Sequence, residues 1–153
     1  MNHVIKDCAI SFEIGRYESS LFLPIAISFG NLRIGTLDSP TYIPSFLHDI
    51  KRLIHDDYYF CNDINNDNFM SFFKTNDGKI IDNYYFTLEE TFDDFTKRSI
   101  RNKVDIFFYF YLNKNPFFCY DDLSPESEIY IQVPMKEFVN KVNNLERLLL
   151  QNQ

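Results

Sequence analysis

Apolar and polar residues alternate at the start of the chain and change to a helical rhythm in two places. From Asp7 to Ile14, Cys8, Ile10, Phe12 and Ile14 point one way and Ala9, Ser11 and Glu13 the other, which predicts a half-buried strand. Leu21 to Phe29 alternates again, and Pro24, lacking an N–H donor, predicts an edge position near the strand start. Gly30-Asn31 is a hairpin turn signal, and Leu32 and Ile34 continue a third strand. From Ile43 the apolar positions Phe46, Leu47, Ile50, Leu53 and Ile54 recur at three- and four-residue spacing, which predicts an amphipathic helix capped around Asp38, Ser39 and Thr41 and ending near Asp56-Asp57. The Asn/Asp-rich stretch within 58–78 reads as a loop and makes that segment a candidate mobile insertion. Within it, Phe69 to Lys74 fits helix or strand. Asp77-Gly78 predicts a turn into a strand over Lys79 to Leu88. Phe92 to Leu112 reads as a β-hairpin turning at Arg101-Asn102-Lys103, with a second strand apolar on both faces and hence central. After a long connection, Glu128 to Val133 is a short strand. Pro134 then opens the clearest helix, with Met135, Phe138, Val139, Val142, Leu145, Leu148 and Leu149 as its expected buried stripe.

Strands segregate from helices and many are hairpin-linked. The expected fold is therefore α+β, a single domain over residues 1–153 with a mainly antiparallel sheet of about six strands and two amphipathic helices packed on it. A chain of 153 residues is of one-domain size.

Charge narrows the partners. The net charge is −7 and the isoelectric point about 4.9, which disfavours nucleic acid, since phosphate binding needs a basic field, and favours a basic protein. Gly 4 leaves little material for phosphate loops. Cys8, Cys61 and Cys119 show no C-x-x-C spacing and read as small buried thiols. No secretory pattern and no apolar run of spanning length is seen, so the expectation is a cytoplasmic protein without a membrane partner.

Catalytic and metal chemistry finds little support. His48 and His55 lie seven apart, outside the four-residue spacing of a helical zinc pair. Asp63-x-Asn65-x-Asp67 opens like a calcium loop but continues with Asn68 and Lys74 where Gly and an acid belong. No cofactor, metal or catalytic residue is expected. Adjacent acids on a strand face opposite ways, so Asp56-Asp57, Glu89-Glu90, Asp93-Asp94 and Asp121-Asp122 are not catalytic dyads. They read instead as an electronegative surface, with Tyr58, Tyr59 and Tyr120 as aromatic anchors within it. The expected partner-binding set is Asp56, Asp57, Tyr58, Tyr59, Asp93, Asp94, Tyr120, Asp121 and Asp122. Lys97, Arg98, Arg101 and Lys103 supply local positive charge able to pair with these acids internally.

Three pieces occur in order: Cys8-Ala9-Ile10-Ser11-Phe12-Glu13-Ile14, then Gly30-Asn31-Leu32-Arg33-Ile34-Gly35 ahead of the first helix, then Phe92-Asp93-Asp94-Phe95 with the aromatic strand Asp105 to Leu112. In these the chain resembles the bacterial polymorphic-toxin immunity proteins, in particular the group numbered forty-two. That family's pattern favours a Trp in the aromatic strand, where this chain has Tyr109 and Tyr111. The resemblance implies a non-enzymatic antidote that binds a cognate toxin C-terminal domain, often a basic nuclease. Two other readings stay open: an adaptor using an aromatic surface or a free sheet edge near Pro24, and a carboxylate-dependent hydrolase.

Overall fold

In the computed structural model, which describes residues 2–16, 19 and 21–151, the chain is α+β and the aromatic strand lies at its centre. The strands are β1 (Asn2–Ile5), β2 (Ile10–Ile14), β3 (Phe22–Leu23), β4 (Ile25–Phe29), β5 (Leu32–Gly35), β6 (Thr41–Tyr42), β7 (Phe95–Arg101), β8 (Asp105–Leu112) and β9 (Glu128–Pro134). The helices are α1 (Ile43–His55), the single turn α2 (Phe69–Phe72) and α3 (Met135–Gln151). Among the described residues the strands form three groups rather than one sheet of six: β1-β9-β8-β7, β2-β4-β5 and the pair β3-β6. All pairings are antiparallel except β1 with β9.

β8 is apolar on both faces because it separates two cores. Ile106, Phe108, Phe110 and Leu112 face the larger one, with α1, α3 and the three-stranded sheet. Phe29 meets the rings of Phe108 and Phe110 at 5.2 and 5.7 Å. Phe107 and Tyr109 face the smaller core, which Ile64, Phe69 and Phe73 close from the other side. The 58–78 segment thus packs across the sheet. A short polar network pins it there: Tyr109 donates to Glu128 at 2.7 Å, and Lys74 pairs with the same carboxylate.

The hairpin β7–β8 forms as expected. Its turn is tied by the Asn102 side chain, which accepts from the Val104 and Asp105 N–H groups. Elsewhere the boundaries move for identifiable reasons. Pro24 splits the expected Leu21–Phe29 strand in two, and β4 is the middle strand of its sheet rather than an edge. The Pro24 carbonyl accepts from the Gly15 N–H, and β3 beside it is paired on one side, with β6. α1 begins at Ile43 without a side-chain cap, with Pro44 in its first turn. The Ile43 N–H is satisfied by the Leu21 carbonyl instead, and Thr41 turns inward to Thr91 at 2.6 Å. Lys79 to Leu88 is not a strand. It touches its neighbours through the single bridges Lys74–Ile80 and Tyr85–Arg98, and Tyr84 adopts φ 65°, which interrupts any ladder. Of the cysteines only Cys8 is buried; Cys119 is exposed. No helix among the described residues is long and apolar enough to cross a membrane.

Candidate protein-binding face

The structure sorts the expected site residues by role. Tyr59 is no surface anchor: it is 2% exposed, and its hydroxyl donates to the Tyr85 carbonyl. Burial raises its pKa. Asp56 is held by Arg52 at 2.9 Å and accepts from the Tyr58 N–H, so it ends α1 and starts the following turn. Those bonds, the backbone N–H first, hold its carboxyl below the ordinary range. Asp57 and Tyr58 are exposed. Beside Tyr58 stand Tyr84 and Tyr85, with ring centroids 5.9 and 6.1 Å away.

Asp94 also does structural work. Its carboxylate accepts from the backbone N–H groups of Phe117 and Phe118 at 2.7 and 3.0 Å and from the Tyr120 hydroxyl at 2.8 Å. It thereby fixes the long connection between β8 and β9, and burial together with this bond raises the Tyr120 pKa. Asp93, its neighbour, is exposed and has no such role.

Two clefts flank that connection. One, of about 400 Å³, is lined by two aromatic pairs, Phe22 with Tyr42 and Phe117 with Phe118, and by Glu89, Glu90, Thr91, Asp93 and Asp94. Its walls are tied by the buried Thr41–Thr91 hydrogen bond and rest on Phe92, whose ring stacks on Phe46 at 5.6 Å. The second cleft, of about 530 Å³, is lined by Asp38, Asp121 and Asp122 together with Arg33. Arg33 is gripped by Glu13 at 2.6 Å, and its pKa rises through that bond, with Asp121 and Asp122 adding to the effect. The second cleft is partly neutralised.

The first is not. Among the described residues no ion pair reaches Glu89, Glu90, Asp93, Asp94, Asp121 or Asp122. Three of the four cations expected to pair with the acids are engaged by carbonyl oxygens: Lys97 by those of Phe92 and Phe95, Arg98 by those of Ile81 and Lys97, Arg101 by those of Leu53 and Asp56. Burial explains why. A half-buried or buried strand cation bonds the nearest fixed dipoles, while the carboxylates stay at the loop ends in water. The field of the crowded acids is felt by Glu89, whose pKa is raised by burial first and then by Asp49, Glu90 and Asp93.

No family model, curated protein or solved structure matches the chain.

The tyrosine patch and the acidic cleft are joined by a short stretch of chain. Tyr85 bridges to Arg98 in mid-β7, and the chain runs from there to Glu90 beside the start of β7. Five residue steps span at most about 17 Å. Sequence reasoning missed the aromatic walls, Phe22, Tyr42, Phe117 and Phe118, and the tyrosines Tyr84 and Tyr85. One signal was available: Pro116-Phe117-Phe118 places two large apolar residues inside a polar connection that has no periodicity to bury them.

Within the described residues no group of three or more His, Cys, Asp or Glu is arranged to hold a metal ion. His48 and His55 line a separate cleft beside α1.

Proposed function

We propose that this chain is an immunity protein that binds and neutralises a basic bacterial toxin domain through the face running from Tyr58 to Asp93. The observation that carries the reading is the set of carboxylates with no internal cation, set beside exposed aromatic rings. Such a combination suits a positively charged protein. The rings supply contact area, and unpaired acids at the rim steer encounter. The motif resemblance to polymorphic-toxin immunity proteins supports the same reading and makes the cytoplasm its place of action.

The test is a binding and protection assay with the toxin domain encoded by the adjacent gene. The expected result is nanomolar association that slows as salt rises, with loss of toxin activity in the complex. Absence of any such complex with the neighbouring gene product would refute it.

The hydrolase alternative would rest on Asp49 and Glu89, two carboxyls from distant parts of the chain whose pKa values are both raised, foremost by burial. Glu89 lines the aromatic cleft, whereas Asp49 does not. Raised carboxyl pKa values of this kind also arise from crowding alone. A pH–rate profile on any candidate substrate, abolished by Glu89→Gln, would favour that alternative over toxin binding.

A further inference from the structure

We propose that the cleft between Phe22, Tyr42 and Phe117, with Glu89, Glu90 and Asp93 at its mouth, receives a single arginine side chain of the basic partner. This deepens the reading above and rests on it.

The geometry suits a guanidinium. Two aromatic pairs form the walls: Phe22 with Tyr42, centroids 5.1 Å apart, and Phe117 with Phe118, centroids 4.9 Å apart. Phe117 is 85% exposed, yet its backbone N–H is held by Asp94. It is a large apolar ring left in water on a backbone that is fixed. A volume of about 400 Å³ falls within the range of ligand-sized clefts, roughly 300–1,000 Å³. A flat, weakly hydrated guanidinium stacks on aromatic faces and donates N–H bonds to two carboxylate oxygens at once, where a lysine ammonium is a compact, strongly hydrated point charge. The protein's own Lys97 is 7% exposed and turned to the carbonyls of Phe92 and Phe95, and among the described residues no ion pair reaches the carboxylates of the cleft. Aromatic walls give the cleft more than charge: an acidic loop in open water attracts any cation, whereas stacking surfaces select a planar one.

The experiment uses the whole protein, isotope-labelled for NMR, titrated with N-acetyl-arginine methylamide. The citrulline counterpart, nearly the same shape without the charge, and the lysine counterpart serve as comparisons. The proposal expects saturable, millimolar shifts at Glu90, Asp93, Phe117 and Phe118, with the citrulline and lysine compounds weaker by about fivefold or more. Phe117→Ala and Glu90→Gln should each weaken the arginine compound by about threefold or more without lowering the melting temperature, since both side chains are exposed. Shifts of equal size with citrulline, shifts spread over all acidic loops without saturation, equal binding of the lysine compound, or indifference to Phe117→Ala would each overturn it. Its failure is separable from that of the functional reading. A toxin domain bound equally well by wild type and Phe117→Ala sinks the cleft but keeps the antidote. Arginine binding without any toxin neutralised does the reverse.

Discussion

Gly35 ends β5 with φ +94°, and a Cβ built on it would stand 2.6 Å from a ring carbon of Phe92. That ring is fully buried under the acidic cleft and stacked on Phe46. Gly35→Ala therefore meets two penalties. A left-handed backbone costs a non-glycine residue about 1–2 kcal/mol, and forcing a methyl group into a packed core costs about 1–3 kcal/mol. The reduced freedom of the unfolded chain offsets about 0.4–1 kcal/mol. The expected net loss is about 2–3 kcal/mol, to be read from urea midpoints by circular dichroism at fixed m value. Gly30→Ala is the control. It shares the positive φ, at +61°, but its nearest neighbour would be the Cys8 sulfur at 4.0 Å, so it should lose about 1 kcal/mol or less. Phe92→Leu in the Gly35→Ala background should recover part of the packing loss and give a non-additive double-mutant cycle. Equal losses at Gly35 and Gly30, or strict additivity with Phe92→Leu, would refute the steric account. A stable Gly35→Ala protein should also bind its partner less well, because the ring it displaces supports the Glu89–Asp93 turn.

Burial lowers the Lys97 pKa from 10.5 to about 8. Between those values the unfolded chain binds more protons than the native one, so stability rises with pH there. Relative to Lys97→Met, the wild type should gain about 1 kcal/mol between pH 7 and 9 in denaturant titrations, and parallel pH profiles would contradict the assignment. Asp94→Ala leaves the N–H groups of Phe117 and Phe118 without their acceptor. It should destabilise by about 1–3 kcal/mol and speed hydrogen exchange at those two amides, and unchanged exchange would count against the tether. Burial also pushes the Cys8 thiol up to about 11. A thiol reagent at pH 8 should label exposed Cys119 fast and Cys8 only on unfolding, and early modification of Cys8 would contradict its burial. The Glu128 carboxyl is held below its ordinary range, the bonds from Lys74 and Tyr109 outweighing burial. Its contribution is present above the unfolded pKa and lost as pH falls through the lower folded value. Glu128→Gln should accordingly blunt acid destabilisation of the 58–78 segment, followed by exchange at Phe73, and an identical acid profile would argue against this ion pair.

The elements with strong period were legible in the chain. α1, α3, β8 and β9 all fall where alternation or helical spacing put them, and β8 was readable as central because both its faces are apolar. What escaped was set by distant partners. β1 is four residues long, and its pairing to β9 becomes visible only once β9 exists. Lys79 to Leu88 has strand composition, but Tyr84 in the left-handed region and the neighbouring tyrosine packing take the backbone elsewhere. For the candidate face, the doublets were visible as charge, but not which member of each is engaged. Asp56 and Asp94 are held within the fold, while Asp57 and Asp93 face water. Nor does composition reveal that the strand cations turn to carbonyls. The aromatic walls were hidden because they come from β3, β6 and the β8–β9 connection, three stretches with no shared pattern.

The division of labour inside Asp93-Asp94 has a practical outcome. Because Asp94 and not Asp93 is the member whose carboxylate anchors the connection, the outward side chains of Glu90, Asp93 and Phe117 carry none of that tether. A library varied at those three positions, with Asp94, Thr91 and Thr41 untouched, should yield molecules that fold alike and differ in what they capture. Changing what the cleft captures is then a matter of repainting its mouth on an unchanged frame.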